Sequence, residues 1–204
     1  EYFDRQGQRV VGMKPVAAGA QPGTGGLRSD DAERILAAGN VAAPRELVNP
    51  YCFMPPIAPH IAARVAGTEI DLRHLERAYA GLGQIADMVI VEGVGGFCVP
   101  LNARENTADF AQRLRLPVLL VVGMRLGCLN HALLTVQAIH ARGLTLAGWV
   151  ANHVDPQMAY AAENVDALAE RIAAPLIARI AFSGAPDPRQ TAAALDIDRL
   201  VACG

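Results

Sequence analysis

At residues 88–97 the stretch "MVIVEGVGGF" ends a run of apolar β-formers in a carboxylate, Glu92, and follows it with three glycines in four residues. An acid there can simply cap a strand end in water. It can also ligate Mg²⁺, which takes oxygen ligands and often only one or two carboxylates. Glycines lack Cβ atoms, so the loop backbone can come close to a phosphate or substrate and turn its amides toward an anion. A second carboxylate, Asp31, lies in "GLRSDDAERI", where Ser29, Asp30 or Asp31 can cap a helix start or one acid can hold the same cation. Seventeen of the eighteen basic residues are arginine, and the sole lysine is Lys14. A lone lysine in an arginine-biased chain marks a place where a compact ammonium is needed and a planar guanidinium does not fit, chance survival being the alternative. Asn152 either closes a strand or offers an amide donor and acceptor to a nucleobase edge. "LGCLNHALLT" (126–135) opens a helix whose first amides favour an anion such as a carboxylate.

These residues need a frame. "RVVGM" (9–13), "MVIVE" (88–92), "PVLLVVG" (117–123), "LAGWVAN" (146–152) and "PLIARIAF" (175–182) read as strands buried on both faces. Helical patterns occupy 30–38, 71–85, 106–115, 129–142, 157–173 and 188–202. Alternation of near-continuous apolar strands with helices predicts an α/β fold with a parallel sheet covered on both sides. In such folds ligands bind beyond the carboxyl ends of the strands. Lys14, Glu92 with its glycines, the 123–127 segment and Asn152-His153 all stand just after a strand. The Pro-rich "NPYCFMPPIAPH" (49–60) reads as a long ordered loop, and nothing marks a linker, so residues 1–204 are expected to form one domain.

Composition narrows the function classes. The 204 residues are 52% apolar and 19% charged, ample for a globular core. A net charge of −2 gives no basic field for nucleic acid or an anionic membrane. The apolar runs are too short to span a bilayer, and no leader is expected. Cysteines at 52, 98, 128 and 203 form no C-x-x-C pair, which points to reduced thiols in a cytoplasm rather than disulfides or zinc.

Taken in order, "VVGMKPVAAG", "GLRSDDA", "VNPYCF", "PHIAA", "VEGVGGFCVPL", "LPVLLVVGMRLGCLNHALLT" and "LAGWVAN" resemble the signature segments of the dethiobiotin synthetases, over nearly the whole chain and more weakly after about residue 160. The resemblance implies a P-loop NTPase-like fold and a cytoplasmic, homodimeric cyclo-ligase of biotin biosynthesis. That family takes 7,8-diaminononanoate, CO₂, ATP and Mg²⁺ and releases dethiobiotin, ADP and phosphate. One substrate amine captures CO₂ as a carbamate, the ATP γ-phosphate activates it as a carbamic–phosphoric anhydride, and the second amine closes the ring. It further implies that Lys14 is the catalytic lysine at carbamate and transferring phosphate, and that Asp31 and Glu92 hold magnesium. Gly93, Val94 and Gly95 would lie beside nucleotide and substrate. Asn152, with His153, Ala181, Phe182 and Ser183, would line the nucleotide. Gly127, Cys128 and Asn130 would meet the substrate's distant carboxylate across the dimer interface, with Ala18 and Asn164 also at substrate positions.

The sequence departs from that family in places. No G-x-x-x-x-G-K-[ST] motif occurs, and "EYFDRQGQRVVG" reads as the tail of a first helix. The expectation is that roughly two dozen residues of strand, loop and helix are missing. The chain alone would then bind ATP poorly and turn over negligibly, and loss of a central strand would leave unpaired backbone beside an apolar slot. Ala18 stands where relatives carry Ser or Thr, Asn164 where some have Tyr, and Ala181 where Pro is common. Two rival readings share the fold: a P-loop ATPase of the partitioning or septum-site class, and a dethiobiotin-synthetase-like domain without catalysis that binds or regulates. The first would want a basic amphipathic C-terminal helix, and "RQTAAALDIDRLVACG" has only two basic residues.

Overall fold

The apolar runs at 10–13 and 88–91 become strands and pair with each other in parallel, Val10 opposite Met88 and Met13 opposite Val91. The computed structural model describes residues 2–201, and their contacts gather into two units, one ending at Leu114 and the other beginning at Arg115.

The first unit runs α1 (Tyr2–Arg5), β1 (Val10–Met13), β2 (Val16–Ala18), β3 (Gln21–Gly23), β4 (Gly26–Arg28), α2 (Asp30–Ala38), α3 (Arg45–Val48), β5 (Tyr51–Phe53), α4 (Pro59–Val65), α5 (Leu72–Leu82), β6 (Met88–Val91) and α6 (Thr107–Leu114). Its strands form three two-stranded pairs: β1 with β6 and β2 with β5 in parallel, β3 with β4 antiparallel. One apolar cluster gathers Val11, Met13, Val48, Ala78 and Leu82, and another gathers Val16, Phe53, Ile70, Leu72, Leu75 and Leu101. Helix α5 feeds both because Leu72, Leu75, Ala78 and Leu82 recur at helical spacing and are all buried. Close packing of α2 on β1 depends on Gly12, where an added Cβ would sit 2.3 Å from Ile35 Cγ2.

The second unit runs β7 (Val118–Met124), α7 (Cys128–Ala141), β8 (Leu146–His153), α8 (Ala161–Ala169), β9 (Leu176–Ile180), α9 (Pro188–Ala193) and α10 (Ile197–Val201). Its strands make one parallel sheet in the order β7-β8-β9. Central β8 is buried from Leu146 to Ala151, with Trp149 fully enclosed.

Several expectations need correction. β8 is buried on both faces along most of its length, and in β9 the neighbouring Ile177 and Ala178, which point to opposite faces, are buried too. Ile90 in β6 and Leu119 and Val121 in β7 are exposed, so one face of each of those strands is left open among the described residues. The Pro-rich 49–60 stretch is not a loop throughout. Residues 51–53 are drawn into β5 by pairing with β2, and Pro59, already set to a helical φ, starts α4. The helix expected over 157–173 begins only at Ala161, after Tyr160 takes a left-handed φ of 54°. The one expected over 188–202 breaks after Ala193, where the Asp196 amide turns back to the Ile177 carbonyl. Residue 202 and Cys203 lie outside the described residues. The described cysteines 52, 98 and 128 are free thiols.

Candidate functional site

Register builds the centre of the site. The β1–β6 ladder runs one step past its last strand pair, with the Glu92 amide donating to the Met13 carbonyl at 2.8 Å. That sets Lys14 and Glu92 side by side where both strands end, and Lys14 Nζ donates to Glu92 Oε1 at 2.6 Å and to the Gly93 carbonyl at 3.0 Å. Asp31 Oδ2, from the first turn of α2, lies 3.2 Å from the same nitrogen. The lysine side chain is only 6% exposed, whereas Asp31 and Glu92 are 57% and 56% exposed. A buried ammonium thus faces two carboxylates that open to solvent. Three groups far apart in sequence meet at one point.

The backbone around Lys14 is held on both sides. Its amide donates to the Val48 carbonyl, and the Asn49 side-chain amide donates to the Lys14 carbonyl at 2.6 Å and to Tyr51 at 3.1 Å. The Tyr51 amide donates to the Pro15 carbonyl. Asn49 was not singled out from the sequence. Its only signal there is its place before a proline in "VNPY".

At the head of α2, Ser29 is the capping residue but makes no side-chain capping bond among the described residues. Asp31, in the first turn of α2, pairs with Lys14. Two residues on, Glu33 receives both guanidinium nitrogens of Arg45 and, at 3.4 Å, one from Arg28. Arg45 chiefly holds the Glu33 carboxyl below the usual glutamate range.

The glycine loop follows directly. A Cβ at Gly93 would meet nothing within 4 Å among the described residues, so open space lies beside the lysine. Val94 packs inward against the apolar cluster around Leu72 and Leu101, and Gly95 has φ +70°, which a side chain would strain. The loop's far end is pinned by Thr107, whose hydroxyl donates to the Gly96 and Phe97 carbonyls and accepts from the Val99 amide. Ala18, half-buried at the end of β2, offers no polar side-chain atom.

Could these residues hold a metal? Among the described residues no group of three or more His, Cys, Asp and Glu side chains gathers as a ligand set, which sets apart the usual transition-metal site. Two half-exposed carboxylates that reach one shared ammonium have the donor chemistry of a Mg²⁺ site completed by water and phosphate oxygens.

The second unit holds the other candidates by itself. Asn152 and His153 end β8, half-buried, and Asn152 stands opposite Ile180. Ala181, Phe182 and Ser183 follow β9 as exposed residues, so all five lie at or just past the carboxyl ends of adjacent strands. Gly127 takes φ +92° at the head of α7, Cys128 is buried behind it, and Asn130 is exposed on the first turn. Asn164 lies within α8, where its side-chain amide donates to the Tyr160 carbonyl at 2.8 Å.

Comparison with known proteins adds a separate line. A sequence model of an AAA domain family matches residues 1–186. The chain is 54% identical over 191 residues to the ATP-dependent dethiobiotin synthetase BioD of Aromatoleum aromaticum, covering 94% of this chain and 85% of that protein. It is 52% identical over 198 residues to the protein of that name from Nitrosospira multiformis, covering 97% and 86%. For the Janthinobacterium protein of that name the figures are 49% over 200 residues, 96% and 85%. Among the described residues no helix is long and apolar enough to cross a membrane.

Proposed function

The chain belongs to the ATP-dependent dethiobiotin synthetase family, and from that premise we propose that Lys14, Asp31 and Glu92 are its working centre for closing the cyclic urea of dethiobiotin. Its activity is the ATP-dependent synthesis of dethiobiotin in biotin biosynthesis. The substrates proposed are 7,8-diaminononanoate, CO₂ and ATP, with Mg²⁺ as cofactor, in a cytoplasmic homodimer.

The observation that carries the reading is the buried ammonium shared by two solvent-open carboxylates. Without a cation the cluster has one negative charge in excess, and with a divalent cation it has one positive charge in excess. That change suits a site whose reactants are a carbamate and a phosphoryl group. The Lys14 ammonium donates to Glu92 and to the Gly93 carbonyl, with the Asp31 carboxylate 3.2 Å away as an ion-pair partner. Asp31 and Glu92 are the residues that would hold Mg²⁺, which when bound neutralises charge on the transferring phosphate.

Lys14 supports the carbamate oxygen as it attacks the γ-phosphorus, and ADP leaves. The second amine then adds to the carbonyl carbon, phosphate departs with the bonding pair, and the new C–N nitrogen gives up one proton, which leaves with the phosphate or to water. Positive charge held at a fixed point is the main help a protein gives such transfers. Gly93 keeps space open beside the ammonium. On the second unit, Asn152 and the 181–183 backbone are proposed to read the nucleotide base, and the α7 head with Gly127, Cys128 and Asn130 to meet the substrate carboxylate. The groups named here do not include a phosphate-cradling P-loop, since no such motif occurs in the 204 residues.

Complementation tests the reading. The full-length gene that contains this sequence, expressed in a biotin-requiring bacterium that lacks dethiobiotin synthetase, is expected to restore growth without biotin. The Lys14→Ala form is expected not to, and added dethiobiotin to rescue both. Equal growth of the two forms without supplement would overturn the assignment.

A further inference from the structure

The Asp31 carboxylate is aimed by a helix that its own cap does not secure. Helix α2 is nine residues long, and Ser29 gives its head no side-chain bond among the described residues. Its first turn is tied instead through Glu33. Both Glu33 oxygens are taken up by Arg45 of α3, and one is also approached by Arg28 of β4. Arg28 in turn donates to the Thr24 carbonyl in the β3–β4 turn.

Helix geometry makes this tie directional. At 3.6 residues per turn, positions 31 and 33 point about 200° apart around the axis. Asp31 reaches Lys14 on one side while Glu33 reaches Arg45 on the other. Any rotation of α2 about its axis moves both carboxylates, so fixing one fixes the aim of the other. We propose that Glu33 is a positioning residue: its forked pair with Arg45 sets the rotation of α2 and so holds Asp31 where a cation can share it with Glu92. The proposal rests on the reading of Asp31 and Glu92 as the cation's ligands. With both partners more than a third exposed, the pair adds little to overall stability. Two-pronged Arg–carboxylate contacts fix orientation as well as energy, and the effect here falls on orientation.

Mn²⁺, which favours the same oxygen ligands as Mg²⁺, is the probe, with unbound ion read by electron paramagnetic resonance. Full chains of wild type, Asp31→Asn, Glu33→Gln and the double variant are titrated, with circular dichroism confirming the fold of each. Glu33→Gln is expected to weaken Mn²⁺ binding roughly five- to tenfold, the size of coupling usual within a shared network. In the Asp31→Asn background it is expected to cost nothing further. Unchanged affinity in Glu33→Gln, or an equal loss in both backgrounds, overturns the positioning role while leaving the cation site intact. Wild-type affinity in Asp31→Asn overturns the site reading and this inference with it. Arg45→Gln breaks the same pair from its outer end and carries the test if Glu33→Gln does not fold.

Discussion

Lys14 sits within a buried run from Met13 to Ala17, with its ammonium against Asp31, Glu92 and a carbonyl. A guanidinium is longer, planar and forked, so Lys14→Arg is expected to cost roughly a hundredfold or more in dethiobiotin formation, on the scale of losing one positioned charge contact. Lys14→Met makes a sharper prediction. Removing the ammonium leaves the two carboxylates facing each other without the charge that now competes for them. Mn²⁺ should then bind several-fold more tightly, about the gain expected from deleting one nearby positive charge, while ring closure is lost. Titration and product assay on one preparation check both halves, and weakened Mn²⁺ binding would mean that the lysine does not share the cation's carboxylates. Much of this centre was legible in the sequence, because an acid ending an apolar strand and a single lysine among arginines are both anomalies of type. The Glu33–Arg45 tie and the Asn49 clamp were not legible. Each is an ordinary residue type whose partner is chosen by how a short segment turns, and no spacing rule encodes that.

The β1–β6 pair carries the site at one end and a surface ion pair at the other, and one register serves both. Arg9 meets Asp87 and Lys14 meets Glu92, each 78 residues apart, the same offset as Val10 and Met88. Asp87 accepts from the Arg9 side chain and amide, which brings its carboxyl from the usual 3.8 down to about 2. A carboxyl depressed in the folded state adds stability above its unfolded pKa and loses it as pH falls through the folded one. Acid unfolding should therefore steepen between about pH 4 and pH 2, and Asp87→Asn should flatten that window. Raised salt should shrink the difference, since both partners are exposed. Circular dichroism across pH reads this. Helix α2 makes the second prediction at this scale. Gly12→Ala sets a methyl 2.3 Å from Ile35 Cγ2, so the helix must move off β1. The cost should be about 1–3 kcal/mol, as for overpacked cores, with weaker Mn²⁺ binding because Asp31 moves too. The long strands were readable because buried parallel strands are almost unbroken apolar runs. The three-residue strands β2 to β5 were not, because at that length a strand is defined by its partner and not by its own pattern.

Across the whole molecule, each unit presents its candidates where its own strands end. The first holds the charged centre, and the second holds Asn152, the 181–183 backbone and the α7 head. The alternation of the longer strands and helices could be read from residue types, and the charged trio only from the family resemblance. The exposed faces at Ile90, Leu119 and Val121 could not, because an apolar run does not declare which of its faces is covered. The central claim is that one buried lysine, held between two acids, supports carbamate activation. Incorporation of isotopically labelled CO₂ into dethiobiotin by the gene's full product, wild type against Lys14→Ala at saturating diaminononanoate and ATP, tests it most directly. Labelled product is expected to fall to about one hundredth of wild type or less, with far-ultraviolet circular dichroism unchanged. Incorporation within a few-fold of wild type by the folded variant would contradict it.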